Sequence, residues 1–168
     1  IDLIEEVARL YGYDNIEPEK PQAKISQGKK NWAQKVKDKT KLTLADLGLF
    51  EAQNYSFTNP SEFDKLTLSS DNCLREVIEL NNPVSEEYTI MRTNLVGGLL
   101  DNLATNNSHK VDDVKVFELE KILKKKKNDN LPQEKLKLAG AIMENNLPDK
   151  WDLDAQGFFY LKGVLEDY

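Results

Sequence analysis

Three carboxylates, Asp2, Glu5 and Glu6, stand at offsets of zero, three and four near the start of the chain. On a helix that spacing places them on one face within a single turn. Such a face can offer oxygen ligands to a hard cation such as magnesium, which commonly uses one or two carboxylates and several waters. The same residues can instead cap the helix and favour its positive N-terminal end, and spacing alone favours that second reading.

Other candidate chemistry is sparse. Arg92, in the run Met91-Arg92-Thr93, is the one well-placed cation. Its ordinary role is to pair with Glu86 or Glu87 or to hold backbone carbonyls. The single cysteine, Cys73, and the single histidine, His109, show no linking pattern, so neither reads as a nucleophile or its base. No glycine-rich phosphate loop, dinucleotide fingerprint or Cys/His zinc spacing occurs. No catalytic residue and no cofactor-binding residue is assigned.

The composition narrows the classes. With 39% hydrophobic and 31% charged residues, the 168-residue chain can bury the core of one ordinary domain plus a small appendage. No apolar run is long enough to span a membrane. A net charge of −6 argues against a generic phosphate-binding surface, because nucleic-acid binders usually present a basic field. The one basic cluster, residues 124–127 followed by Asn128-Asp129-Asn130, reads as a solvated hairpin loop. A lone cysteine and no signal-like opening fit a cytoplasmic protein. The first residue is not Met, and the last falls inside a helical pattern, so a piece of a longer protein is expected.

The elements that must position these residues follow from periodicity. Ile4, Val7, Ala8 and Tyr11 mark one face of a first helix, with Asp2 as its expected cap, Glu5 as capping-box partner and Gly12 as its stop. Pro18 and Pro21 then mark a linker. A second helix is expected over residues 29–47, and Gly48 ends it. Tyr55 and Phe57 read as a strand, Asn59-Pro60 with Glu62 as the start of a short helix, and residues 75–80 as another strand. Leu95, Leu99 and Leu103 give a central helix interrupted by Gly97 and Gly98, which imply either a tight backbone contact or a later helix start. Residues 114–123 and 136–143 are apolar on both faces, as interior strands are, and should form an antiparallel hairpin. Phe158, Leu161 and Leu165 give a last helical stripe. The sum is an α+β fold, an antiparallel sheet flanked by helices.

The run NPVSEEYTIMRTNLVGGLL, then VFELEKIL, then GFFYLKGVLE resembles the synthetase-like core of bacterial phenylalanyl-tRNA synthetase beta subunits. The opening DLIEEVARLYGYDNI is similar to the end of the small domain before that core. The resemblance implies a partial class II aminoacyl-tRNA synthetase core over residues 29–168. Before it, residues 1–28 would be the C-terminal helix and linker of a small domain that is winged-helix-like. It implies that Asp2, Glu5 and Glu6 belong to a magnesium site shared with the alpha subunit, a further acidic ligand lying upstream of Ile1. It also implies a non-catalytic role. A catalytic class II core uses an arginine on its second-motif strand to grip ATP phosphate, whereas VFELEKIL offers Glu118 and Glu120 there.

The implied setting is a holoenzyme that ligates phenylalanine to tRNA(Phe) with ATP and magnesium. Its alpha subunit is the partner, tRNA is met through the assembly, and no membrane is involved. Met91, Arg92 and the ends of the central helix are the expected alpha-subunit interface, and truncating Arg92 is expected to leave the fold largely intact. The rival reading is a freestanding nucleic-acid- or protein-binding module.

Overall fold

The computed structural model describes residues 1–23, 27–83, 85–126, 131–144 and 156–168. The chain divides into two compact units, Ile1–Lys30 and Asn31–Tyr168. In the first, helix α1 (Asp2–Tyr11) is followed by Gly12 and a 3-10 turn over Tyr13–Asn15. The expected capping box is absent. The cap position is Ile1, and no side chain bonds the free amides. A cap must stand just outside the helix, and Asp2 is already within it.

The second unit opens with helix α2 (Trp32–Asp46), three residues later than the periodicity suggests. Asn31 sets that start: its side chain accepts from the Gln34 amide at 2.9 Å, and the Gln34 side chain accepts from the Asn31 amide at 2.8 Å. Strand β1 (Phe50–Glu51) and strand β2 (Phe57–Thr58) follow, then helix α3 (Ser61–Lys65), strand β3 (Ile90–Met91) and helix α4 (Val96–Ser108). The long strands β4 (Asp113–Lys124) and β5 (Gln133–Glu144) and helix α5 (Gln156–Asp167) complete it.

The main sheet has the order β1-β4-β5, and a second sheet pairs β2 with β3. β4 and β5 form the expected antiparallel hairpin, in register from Asp113 opposite Glu144 to Lys124 opposite Gln133. The loop expected at residues 128–130 lies outside the described residues. A purely antiparallel sheet is corrected in one respect: β1 runs parallel to β4, with Phe50 opposite Val116. Two residues are too short for periodicity to reveal, and the connection from β1 to β4 passes through the whole middle of the chain, as a parallel pairing requires.

Two strand expectations also change. The stretch 75–80 is a 3-10 turn (Cys73–Arg75) followed by extended chain that touches the second sheet through a single bridge, Glu79 to Ile90. β5 is not interior. Among the described residues it pairs only with β4, and Leu136 and Leu138 are exposed.

Strand alternation sorts the two faces of β4. Phe117 meets Leu44, Leu49 and Val164 in one core, so α2 and α5 cover that side. The Tyr160 hydroxyl donates to the Leu47 carbonyl there. On α5 the buried face is therefore carried by Tyr160 and Val164, while Phe158 and Leu165 are exposed. Glu118, next along β4, points to the opposite side, where Leu95 and Leu99 of the α4 region are buried.

Candidate functional site

On that opposite side, the start of α4, the β2–β3 ribbon and β4 enclose a cavity of about 200 Å³. Its lining residues all belong to the second unit. Glu118 is its floor, 0% exposed although charged. Its carboxylate accepts from Arg92 Nη1 at 2.5 Å, from Asn54 Nδ2 at 2.8 Å and from the Asn54 amide at 3.3 Å. Burying two charges is tolerable only when each is paired and hydrogen-bonded, and this pair is both.

Arg92 is an interior residue, 5% exposed. Beyond Glu118, its Nε donates to the Lys121 carbonyl at 3.1 Å. Its backbone ties three segments together: its amide donates to Ser56 O at 2.9 Å, and its carbonyl accepts from the Leu123 amide at 3.0 Å. The sequence points to Glu86 or Glu87 as its partner, or to backbone carbonyls, and the second role is met at the Lys121 carbonyl. The acidic partner is corrected: the side chain turns inward to Glu118 on β4 while Glu86 and Glu87 lie exposed. Met91, beside it, is half-buried opposite Phe57.

A second carboxylate, Glu62 of α3, is 9% exposed at the cavity wall. It accepts from the Thr58 hydroxyl and from Asn94 Nδ2 at 3.0 Å. Asn94 in turn caps α4, its Oδ1 accepting from the amides of Val96 at 2.8 Å and Gly97 at 3.1 Å. This packing explains the double glycine. A Cβ on Gly97 would lie 2.2 Å from Glu62 Cδ, and one on Gly98 would lie 3.0 Å from the Asn54 amide group. The tight-contact reading holds, and the helix includes both glycines.

The rim is aromatic. Tyr55 and Tyr88 meet edge to face with centroids 5.5 Å apart. Asp101 stands at the mouth beside Asn102. Among the described residues three carboxylates and one committed arginine therefore line the cavity, the reverse of what a phosphate grip needs. On the far part of β4, partial burial opposes ionisation of Glu120, but the Lys37 ammonium at 3.2 Å outweighs it and holds the carboxyl below its ordinary range.

Asp2, Glu5 and Glu6 belong to the first unit. Glu6 is occupied by Arg9 at 2.6 Å. Among the described residues no group of three His, Cys, Asp or Glu side chains gathers to hold a metal ion. Sequence reasoning missed Glu62 and Asn54 as cavity residues. The available signal was the double glycine, which demands something close on that side.

Residues 16–168 match the family described as the phenylalanyl tRNA synthetase beta chain CLM domain. Similar proteins include the phenylalanine–tRNA ligase beta subunit of Geobacter sulfurreducens, 33% identical over 99% of this chain and 21% of its own length. The phenylalanine–tRNA ligase beta subunit of Moorella thermoacetica is 38% identical with the same coverage, 99% and 21%. The chain thus spans about a fifth of the length of the curated relatives it matches. Among solved structures, it is similar to PylSc of Desulfitobacterium hafniense, a pyrrolysyl tRNA synthetase, with a TM-score of 0.55 and 15% identity, over 81% of this chain and 45% of that one. At that identity the likeness concerns the fold alone.

Proposed function

This chain belongs to the phenylalanyl-tRNA synthetase beta chain family, and from that premise we propose that it is the non-catalytic, architectural part of a class II-like core. It works inside an enzyme that joins phenylalanine to tRNA(Phe) with ATP. The observation that carries the reading is the closed Arg92–Glu118 pair. Among the described residues the only cation lining the cavity is committed to a buried carboxylate, and no second arginine stands on β4 to meet a phosphate.

In this role the second unit braces the catalytic alpha subunit. The surface around Met91 and the exposed Val96 and Leu100 of α4 faces that partner, with Arg92 fixing it from behind by tying β3 to β4. Residues 1–28 are the end of the preceding small domain, and tRNA is met through the assembled enzyme. Asp2, Glu5 and Glu6 contribute to a magnesium site only with ligands from elsewhere, so no step is assigned to the metal. Among the described residues no helix is long and apolar enough to cross a membrane, and we place the enzyme in the cytoplasm.

The test is phenylalanine-dependent pyrophosphate exchange with ATP by the purified chain. Exchange at the level of a blank is expected. Turnover clearly above it would end the architectural reading.

A further inference from the structure

The cavity beside α4 carries a charge imbalance that bracing does not explain. Its arginine is committed to Glu118 at 2.5 Å. Glu62 is only 9% exposed, yet it is held by neutral donors alone, the Thr58 hydroxyl and the Asn94 amide. Among the described residues the ion pairs of lining groups are Arg92–Glu118 and the exposed Lys65–Asp101 contact at 3.8 Å, and neither engages Glu62. The positive end of α4 offsets part of that buried charge but supplies no full counter-ion.

The surrounding groups agree on what would supply it. Tyr55 and Tyr88 offer aromatic faces that attract cations. Asn102 and Asp101 add oxygen acceptors at the mouth. With about 200 Å³ available, the space suits the end of one long basic side chain better than a nucleotide. The mouth is open, since Tyr55 is 72% exposed, and α4 shows Val96 and Leu100 at 47% and 44% exposure. A free amine would leave those apolar groups in water, whereas a polypeptide carrying the basic residue would cover them. A net charge of −6 favours approach of a basic surface.

We propose that this cavity receives a lysine or arginine side chain of a partner polypeptide, with Glu62 as its counter-charge and Tyr55 and Tyr88 as its walls. The proposal rests on the family reading in one respect, that a beta subunit works with another subunit. Deeply seated basic and aromatic anchors are what interface hot spots are made of.

The experiment uses the full-length beta chain and its partner subunit. Glu62→Gln keeps the shape and removes the charge; its amide oxygen can still accept from Asn94, and its NH2 can donate to the Thr58 hydroxyl once that hydroxyl turns. Association by analytical ultracentrifugation should weaken by at least about tenfold, the scale of losing one desolvated charge contact. The melting temperature of the unassembled chain should stay level or rise, because an uncompensated buried charge has gone. Tyr55→Ala, at an exposed wall, should weaken association without lowering that melting temperature. n-Butylamine should compete with assembly of the wild type and not of Glu62→Gln. Wild-type association by Glu62→Gln overturns the proposal. Amine binding with no effect on assembly makes this a small-molecule site and overturns it too. A lower melting temperature for unassembled Glu62→Gln assigns the charge to folding instead. If the wild-type chains do not associate at all, the beta-subunit reading fails with it, and that outcome is separate from normal assembly that ignores Glu62.

Discussion

Arg92 reaches from the end of β3 to Glu118 on β4, Nη1 to carboxylate oxygen 2.5 Å, with 6% and 0% of the two side chains exposed. The contact joins the small ribbon to the main sheet. It also leaves the Arg92 guanidinium committed to a buried carboxylate.

Arg92→Ala should destabilise the chain by about 3–5 kcal/mol, because it leaves Glu118 charged and buried beside Asn54 alone. This reverses the expectation that truncation leaves the fold intact. Urea unfolding of Arg92→Ala, Glu118→Ala and the double variant tests it. The double variant should lose much less than the sum of the two singles. Additive losses would mean that the pair is not coupled.

Gly97→Ala should destabilise by about 1–3 kcal/mol, since overpacking a filled site forces neighbours to move and the new methyl would stand 2.2 Å from Glu62 Cδ. In a Glu62→Ala background the same change should cost far less. Equal costs in both backgrounds would show that α4 shifts freely, and that the glycine is not required by this contact.

Glu120 and Lys37 give a pH-dependent prediction. The folded-state pKa of Glu120 is depressed, with partial burial opposing and the Lys37 hydrogen bond and charge prevailing. Its contribution is therefore present above the ordinary carboxylate range, roughly 4.3, and is lost as pH falls through the depressed folded value. Lys37→Gln should lower stability at neutral pH by a small amount, since both groups are about a third exposed. The gap between wild type and variant should close as the pH falls below that range. A gap that stays constant from neutral to acid in a series of denaturant melts would remove the pair from the account.

For the acidic face of α1, Glu5→Gln with Glu6→Gln should change magnesium binding by this chain little, because Glu6 is already held by Arg9. In the complete assembly the same pair should lower magnesium occupancy more than it lowers stability, exposed carboxylates near a helix N-terminus being worth at most about 1 kcal/mol. Metal analysis of the purified assembly decides it. Equal occupancy in variant and wild type leaves these residues no metal role.

Legibility followed length and locality. The β4–β5 hairpin and α4 were readable, because twelve-residue strands and a thirteen-residue helix repeat their periods often enough to stand out. β1 and β3, two residues each, repeat nothing. Their identity comes from partners far along the chain. The cavity was half legible. Gly97-Gly98 announced a close approach, but nothing in a single sequence says that Glu62 makes it, or that Arg92 passes over its acidic neighbours Glu86 and Glu87 for Glu118. Those choices are set by which face of β4 each side chain meets, and that is decided only once the sheet exists.

The pairing order of the main sheet also bears on how the chain acquires its shape. β4 pairs with β5, the strand next to it in sequence, so this hairpin can form on the microsecond scale. β1 joins β4 in parallel, Phe50 opposite Val116, only after the whole middle of the chain has been brought round. The hairpin is then the template and β1 the late arrival. Substitutions at Leu119 or Ile122 should slow refolding, whereas those at Leu49 should chiefly speed unfolding.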